Sequence, residues 1–74
     1  MARTFSGKEV VKVLVREFEF RVVSQRGSHV KLKKMAGGGV RIIVVPLHRE
    51  LALGTLRGVL DLAEVNYDEF LEKA

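Results

Sequence analysis

The spacing of apolar residues changes several times along the chain, and each change marks an element. Ser6-Gly7-Lys8-Glu9 has the Ser-x-x-Glu spacing of a capping box. Behind it Val10, Val11, Leu14, Val15 and Phe18 recur at helical spacing, with Lys8, Lys12, Arg16 and Glu19 on the other side. This predicts a first helix over about residues 7 to 17. Its β-branched residues lower helix propensity, so it needs a surface to pack against. From Phe20 the period falls to two: Phe20, Val22 and Ser24 alternate with Arg21, Val23 and Gln25 in a strand that ends near Arg26-Gly27-Ser28. In a second strand Val30 and Leu32 point one way while His29, Lys31 and Lys33 point the other. Ala36-Gly37-Gly38-Gly39 reads as a hairpin turn, and Val40 to Val45 as a third strand, apolar on both faces apart from Arg41. Two successive hairpins make a three-stranded antiparallel meander.

Pro46 lacks the ladder amide and ends that strand. Leu47 to Leu53 reads as a loop with His48, Arg49 and Glu50. Gly54-Thr55 then opens a second helix in which Leu56, Val59, Leu60 and Ala63 share one face and Arg57 and Asp61 can pair on the other. Asn66 with Glu69 repeats the capping pattern for a short last helix, residues 67 to 73, with Val65, Phe70 and Leu71 as its apolar contacts. The order is α-β-β-β-α with a short C-terminal helix.

Each main helix has one apolar face to cover, and the simplest packing sets both on one face of the sheet. The expected fold is therefore an α+β two-layer sandwich, one domain over residues 1–74. The opposite sheet face then carries His29, Lys31 and Lys33 beside either Arg41, Ile43 and Val45 or Val40, Ile42 and Val44. Either way the third strand leaves β-branched side chains uncovered next to cations. Such a surface suits protein docking or an assembly contact such as a homodimer, and equally an exposed strand of no consequence.

Composition narrows the class. A chain of 74 residues with no Cys has no disulfides and no thiolate metal site, and its two histidines cannot alone make a structural zinc site. The longest apolar run, Ile42 to Leu47, contains Pro46 and falls far short of the roughly 18 residues of a membrane span. Met1-Ala2-Arg3-Thr4-Phe5-Ser6 leads into a charged amphipathic stretch with no apolar leader. The expectation is a cytoplasmic protein with no membrane contact and no cofactor.

The formal charge of +4 conceals two unlike parts. Residues 1–49 carry a net +8 and residues 50–74 a net −4. Between Arg21 and Arg49 there are seven cations (Arg21, Arg26, Lys31, Lys33, Lys34, Arg41, Arg49) and no Asp or Glu. A surface of one sign concentrates polyanions, and binding of nucleic acid there would be salt-dependent. A basic face without function is the bland alternative.

Chemistry could reside in three places. In Gln25-Arg26-Gly27-Ser28-His29 the imidazole can exchange protons near neutrality. Gly27 removes a side chain where a substrate backbone could approach, and Arg26, Lys31 and Lys33 could hold phosphates and stabilise charge developing at phosphorus. A lone histidine at the start of a strand is nevertheless more often surface decoration or a hairpin hydrogen-bond partner. His48, in Val45-Pro46-Leu47-His48-Arg49-Glu50, could assist His29 or simply fix the loop. The glycines at 37–39 are followed by a strand, not by the helix of a phosphate-binding loop. No Ser/His/Asp set, paired carboxylates or metal-ligand cluster can be assembled.

From Ser6 to Leu71 the chain resembles the HicA-type mRNA interferase toxins, the YcfA-like family. The resemblance is carried by the opening amphipathic helix, by Arg26-Gly27-Ser28-His29 at the second strand and by Val45-Pro46-x-His48 after the third. Glu50-Leu51, Gly54-Thr55-Leu56-Arg57, Leu60, Ala63 and Glu69-Phe70-Leu71 follow in order. The resemblance implies a fold like the double-stranded RNA-binding domain, an endoribonuclease activity on single-stranded or structured mRNA, and a HicB-type antitoxin partner. It also implies that His29 is the catalytic residue. The family commonly has Pro where this chain has Leu53, and Gly where it has Glu64. Glu64 is a poor left-handed residue, so a different end to the second helix is expected.

With that resemblance the expected reaction is metal-independent. His29 acts as general base on a ribose 2′-hydroxyl, and Arg26, Gly27, Ser28, Lys31, Lys33 and His48 form the substrate-binding set. Two other readings remain open: a module that holds RNA without cutting it, and a protein-interaction domain that uses the apolar third strand.

Overall fold

The Ser6 side chain opens α1 (Gly7–Glu17). Its hydroxyl accepts from the Glu9 amide at 3.1 Å, and the Glu9 carboxylate accepts from the Ser6 amide at 2.9 Å, so the capping box closes in both directions. The chain continues through β1 (Arg21–Arg26), β2 (His29–Ala36) and β3 (Gly39–Pro46) to α2 (Leu53–Ala63) and α3 (Tyr67–Lys73). The computed structural model describes residues 3–74; Met1 and Ala2, which open the segment read for a leader, lie outside the described residues. Among the described residues no helix is long and apolar enough to cross a membrane.

The strands form one antiparallel sheet in the order β1-β2-β3. Val30 lies opposite Val45 and Leu32 opposite Ile43, and all four are buried. Val10, Val13 and Leu14 of α1 and Leu56, Val59, Leu60 and Ala63 of α2 cover them, in one core cluster. Phe5 and Phe70, edge to face at 5.2 Å, close the core where α3 meets the entry to α1. Both main helices thus lie on one face, as the α+β two-layer sandwich requires. At the hairpin tip Ala36 pairs with Gly39 around Gly37-Gly38, both at positive φ as in a type I′ turn.

Several local expectations change. Val15 stands 41% exposed and Val13 is buried instead. Valines at 10, 11, 13 and 15 offer two apolar arcs, and packing over β3 as well as β1 selects the one centred on Val10 and Leu14. The simple alternation read along β1 is broken by a bulge between Val22 and Ser24, which puts Ser24 opposite Lys31 and Gln25 opposite Val30. Helix α2 begins at Leu53, inside the segment read as loop, from Ala52, which makes no side-chain cap. Arg57 does not pair with Asp61; its guanidinium stacks 4.3 Å from the Tyr67 ring centroid. Asn66 caps α3 by accepting from the Glu69 amide at 3.0 Å, but Leu71 is exposed rather than packed.

Glu64 is the largest surprise, because it adopts the left-handed conformation that its side chain disfavours (φ 57°, ψ 39°). Its amide donates to the Asp61 and Leu60 carbonyls, and the Val65 amide donates to the Leu60 carbonyl at 2.9 Å. This is a Schellman ending made without glycine. Glu19 after α1 also has positive φ (64°), and the residue following each glutamate, Phe20 or Val65, is buried. Burial of that next residue sets where each helix stops.

Candidate nucleic-acid interface

Strand parity divides the cations of the acid-free segment. Arg41 pairs with Lys34 on the helix side of the sheet. The Arg41 guanidinium sits 2.9 Å from the Glu64 carboxylate and donates to the Leu62 carbonyl at 3.4 Å. The Lys34 ammonium lies 5.6 Å from the Phe20 ring centroid. These two charges serve the packing. Arg21, Arg26, Lys31 and Lys33 share the open face with His29, where Arg26 lies opposite His29, Ser24 opposite Lys31 and Arg21 opposite Lys33. Among the described residues none of these four makes an ion pair. Arg21 and Lys33 are like charges set directly opposite, an arrangement that costs stability.

The third strand supplies the other half of this face. Pro46 is opposite His29, Val44 opposite Lys31, Ile42 opposite Lys33 and Val40 opposite Met35. Val44, Ile42, Val40 and Met35 are 46–67% exposed, so the set left outside is Val40, Ile42 and Val44, not Arg41, Ile43 and Val45. The face therefore has two lanes, cationic over β1 and β2 and aliphatic over β3.

His29 is the first residue of β2 and is exposed on this face. Gly27 has φ 54°, and a Cβ there would meet nothing within 4 Å, so backbone conformation alone demands glycine in this two-residue turn. The Ser28 carbonyl accepts from the Leu47 amide at 2.6 Å, which ties the turn to the segment leaving β3. In that segment the His48 carbonyl accepts from the Gly7 amide at 2.9 Å, and the His48 side chain is exposed. A Cβ on Gly7 would run into the Pro46 carbonyl oxygen and lie 2.7 Å from Leu47 Cα. The start of α1, the Pro46–His48 segment and the Ser28–His29 turn thus form one backbone junction. It fixes the strand end from which His29 projects and keeps His48 two residues beyond the cross-strand partner of His29.

Of the residues singled out from the sequence, Arg26, Lys31 and Lys33 fall on one surface with His29, and Gly27 and Ser28 form the turn beside it. Sequence reasoning passed over Arg21 and Ser24. The unbroken acid-free run included Arg21, but only the bulge sets it and Ser24 opposite Lys33 and Lys31. Among the described residues no group of three or more His, Cys, Asp or Glu converges.

Comparison with known proteins bears on the same region. No curated protein sequence matches the chain. A family model described as the HicA toxin of bacterial toxin–antitoxin systems matches residues 7–65, from the start of α1 to the Schellman ending of α2. That match takes in the whole sheet and both helices that cover it. The chain belongs to the HicA toxin family, with the toxin's role in a toxin–antitoxin system and, by implication, a HicB-type antitoxin as its partner.

Proposed function

We propose that this protein is an endoribonuclease that cuts mRNA in the cytoplasm without a metal ion, with His29 as the general base. The observation that carries this reading is the exposed His29 on a sheet face whose strands carry no Asp or Glu, shared with Arg26, Lys31 and Lys33. Neutral imidazole takes the proton of a ribose 2′-hydroxyl, and the 2′ oxygen bonds to the adjacent phosphorus. The bond from phosphorus to the 5′ oxygen breaks, and that oxygen takes a proton from His48, a lysine of the lane or water. The products are a 2′,3′-cyclic phosphate and a 5′-hydroxyl. Cations along the lane stabilise the extra negative charge at phosphorus. DNA has no internal nucleophile and is inert.

A positioned base contributes about 10² to 10⁴ in rate. Incubated with RNA in chelator, the wild-type protein yields cyclic-phosphate ends, and His29→Ala lowers the rate by about that factor. Undiminished cleavage by His29→Ala overturns the assignment. Intact RNA with retained, salt-dependent binding by the wild type favours the non-catalytic RNA-binding module instead. The antitoxin is proposed to cover His29 with acidic groups set against Arg26, Lys31 and Lys33, complementarity that chiefly raises association rate and selectivity. A toxin–antitoxin complex that leaves His29 open to RNA counts against that part.

A further inference from the structure

We infer that the open sheet face is a track for at least three successive phosphates of single-stranded RNA, the backbone running over β1 and β2 and the bases over β3. Arg21 and Lys33 form a phosphate subsite at the end of the track remote from His29. This deepens the nuclease reading and rests on it for the identity of the ligand.

Register and spacing carry the inference. Outward residues of one strand repeat about every 6.7 Å. His29, Lys31 and Lys33 therefore stand one such step apart along β2, a step close to the phosphate repeat of an extended RNA strand. Across the ladder, on β1, each has a group able to donate to a phosphate oxygen: Arg26, Ser24 and Arg21. Among the described residues neither Arg21 nor Lys33 makes an ion pair, and an anion between the two removes their repulsion. A phosphate held there, two steps from the phosphate at His29, fixes the register of the strand at the cleavage point.

The lateral order of the lanes adds a direction. Bases leave a sugar–phosphate backbone to one side. On this face the cations lie toward β1 and the exposed Val44 and Ile42 lie toward β3, directly opposite Lys31 and Lys33. Unpaired bases can rest on that aliphatic strip, whereas a duplex keeps its bases stacked inside and presents backbone and groove edges. With no aromatic ring on the strip, base contact adds little affinity and binding stays modest and salt-sensitive.

The test uses the intact protein and 2′-O-methyl oligonucleotides, which lack the nucleophile and cannot be cut. Affinity is read by NMR titration of a dimer with one phosphodiester and a tetramer with three. Arg21→Ala and Lys33→Ala are each expected to weaken the tetramer about two- to fivefold, the size of one exposed ion pair, and to weaken the dimer, whose single phosphate occupies that subsite only part of the time, by less. Each should also reduce the salt slope for the tetramer by about 0.7. Ile42→Ser is expected to weaken the tetramer but not an abasic tetramer of the same length. Equal effects on dimer and tetramer, or none on either, overturn the subsite. Tighter binding of duplex RNA, or of a polyglutamate peptide that shields Ile42, overturns the single-stranded track; the peptide result would mark the face as a protein-docking surface alone. Because nothing is cleaved, these outcomes do not depend on His29 as base. Undiminished cleavage by His29→Ala with the tetramer results intact removes His29 as the base and leaves the track, and intact RNA with the same tetramer results removes the nuclease reading and leaves the track.

Discussion

The Arg41 guanidinium sits 2.9 Å from the Glu64 carboxylate and joins β3 to the left-handed residue that ends α2. The same guanidinium donates to the Leu62 carbonyl, one of the free acceptors of the last helical turn, where a cation also suits the helix dipole. A non-glycine residue in this conformation costs about 1 kcal/mol or more, and an exposed ion pair returns at most about 1 kcal/mol. Glu64→Ala keeps the cost and loses the pair, so it should lower stability by about 0.5 kcal/mol. Glu64→Gly loses the pair but removes the strain, and should be at least as stable as the wild type. Chemical denaturation of the two variants checks the order Gly, then Glu, then Ala; an alanine variant more stable than the glycine variant contradicts the account.

Gly7 is the most closely confined of the seven glycines. A methyl group there has to displace the Pro46 carbonyl and Leu47, and neither is the end of a flexible side chain. Gly7→Ala should therefore destabilise by about 1 to 3 kcal/mol, the usual range for overpacking, despite alanine's better helix propensity. The displaced segment carries His48 and pairs with His29 through Pro46. NMR shifts at Ser28, His29 and Leu47 should change more than those at the far hairpin tip, Gly37 and Gly38. Gly54, where a Cβ meets nothing within 4 Å, is the control, and Gly54→Ala should cost nothing measurable.

The α1 capping box makes stability depend on acid pH. The Ser6 backbone amide donates to the Glu9 carboxylate and holds its pKa below the ordinary 4.5; slight desolvation opposes this and the nearby Arg3 charge assists it. A carboxyl whose folded pKa is depressed contributes stability that is complete above its unfolded value and is lost as pH falls through the folded one. Glu9→Gln should flatten the acid side of the stability profile below about pH 4.5 and leave its alkaline side unchanged. Ser6→Ala removes the other half of the box and should cost about 1 kcal/mol at neutral pH. Thermal unfolding between pH 3 and 7 distinguishes the two; identical acid slopes for Glu9→Gln and the wild type would contradict the linkage.

What could be read from the sequence was what depends on local pattern. The ends of α1, the parity of β2 and the buried face of α2 follow from spacing and caps that need no partner, and each appears as expected. The β1 bulge could not be read, because Val22, Val23 and Ser24 suit either face and only pairing with Leu32 and Lys31 decides between them. The fate of Arg41 was hidden for the same reason: its neighbours on β3 are apolar on both sides, and its partner Glu64 lies 23 residues away. The acid-free run from Arg21 to Arg49 announced a positive surface, but only register separates the four cations on it from the two that serve packing.

That separation leads to the prediction that sets stability against function most directly. Arg21 and Lys33 face each other across β1 and β2, and among the described residues neither makes an ion pair, so the isolated fold carries an avoidable repulsion. Arg21→Glu replaces a like-charge cross-strand pair with an opposite-charge one. Cross-strand pairs are worth roughly 0.2–1 kcal/mol, so the variant should be more stable by up to about 1 kcal/mol at low salt, with the gain shrinking as salt screens it. On a surface that serves RNA, the same carboxylate repels the phosphate and consumes the Lys33 charge, so RNA affinity and cleavage should both fall, and fall further than for Arg21→Ala. Denaturation and cleavage measured on one preparation decide the matter. A variant that gains stability and loses activity identifies the unpaired cations as kept for the ligand, whereas one that gains stability and cuts RNA undiminished shows that RNA does not use this end of the face.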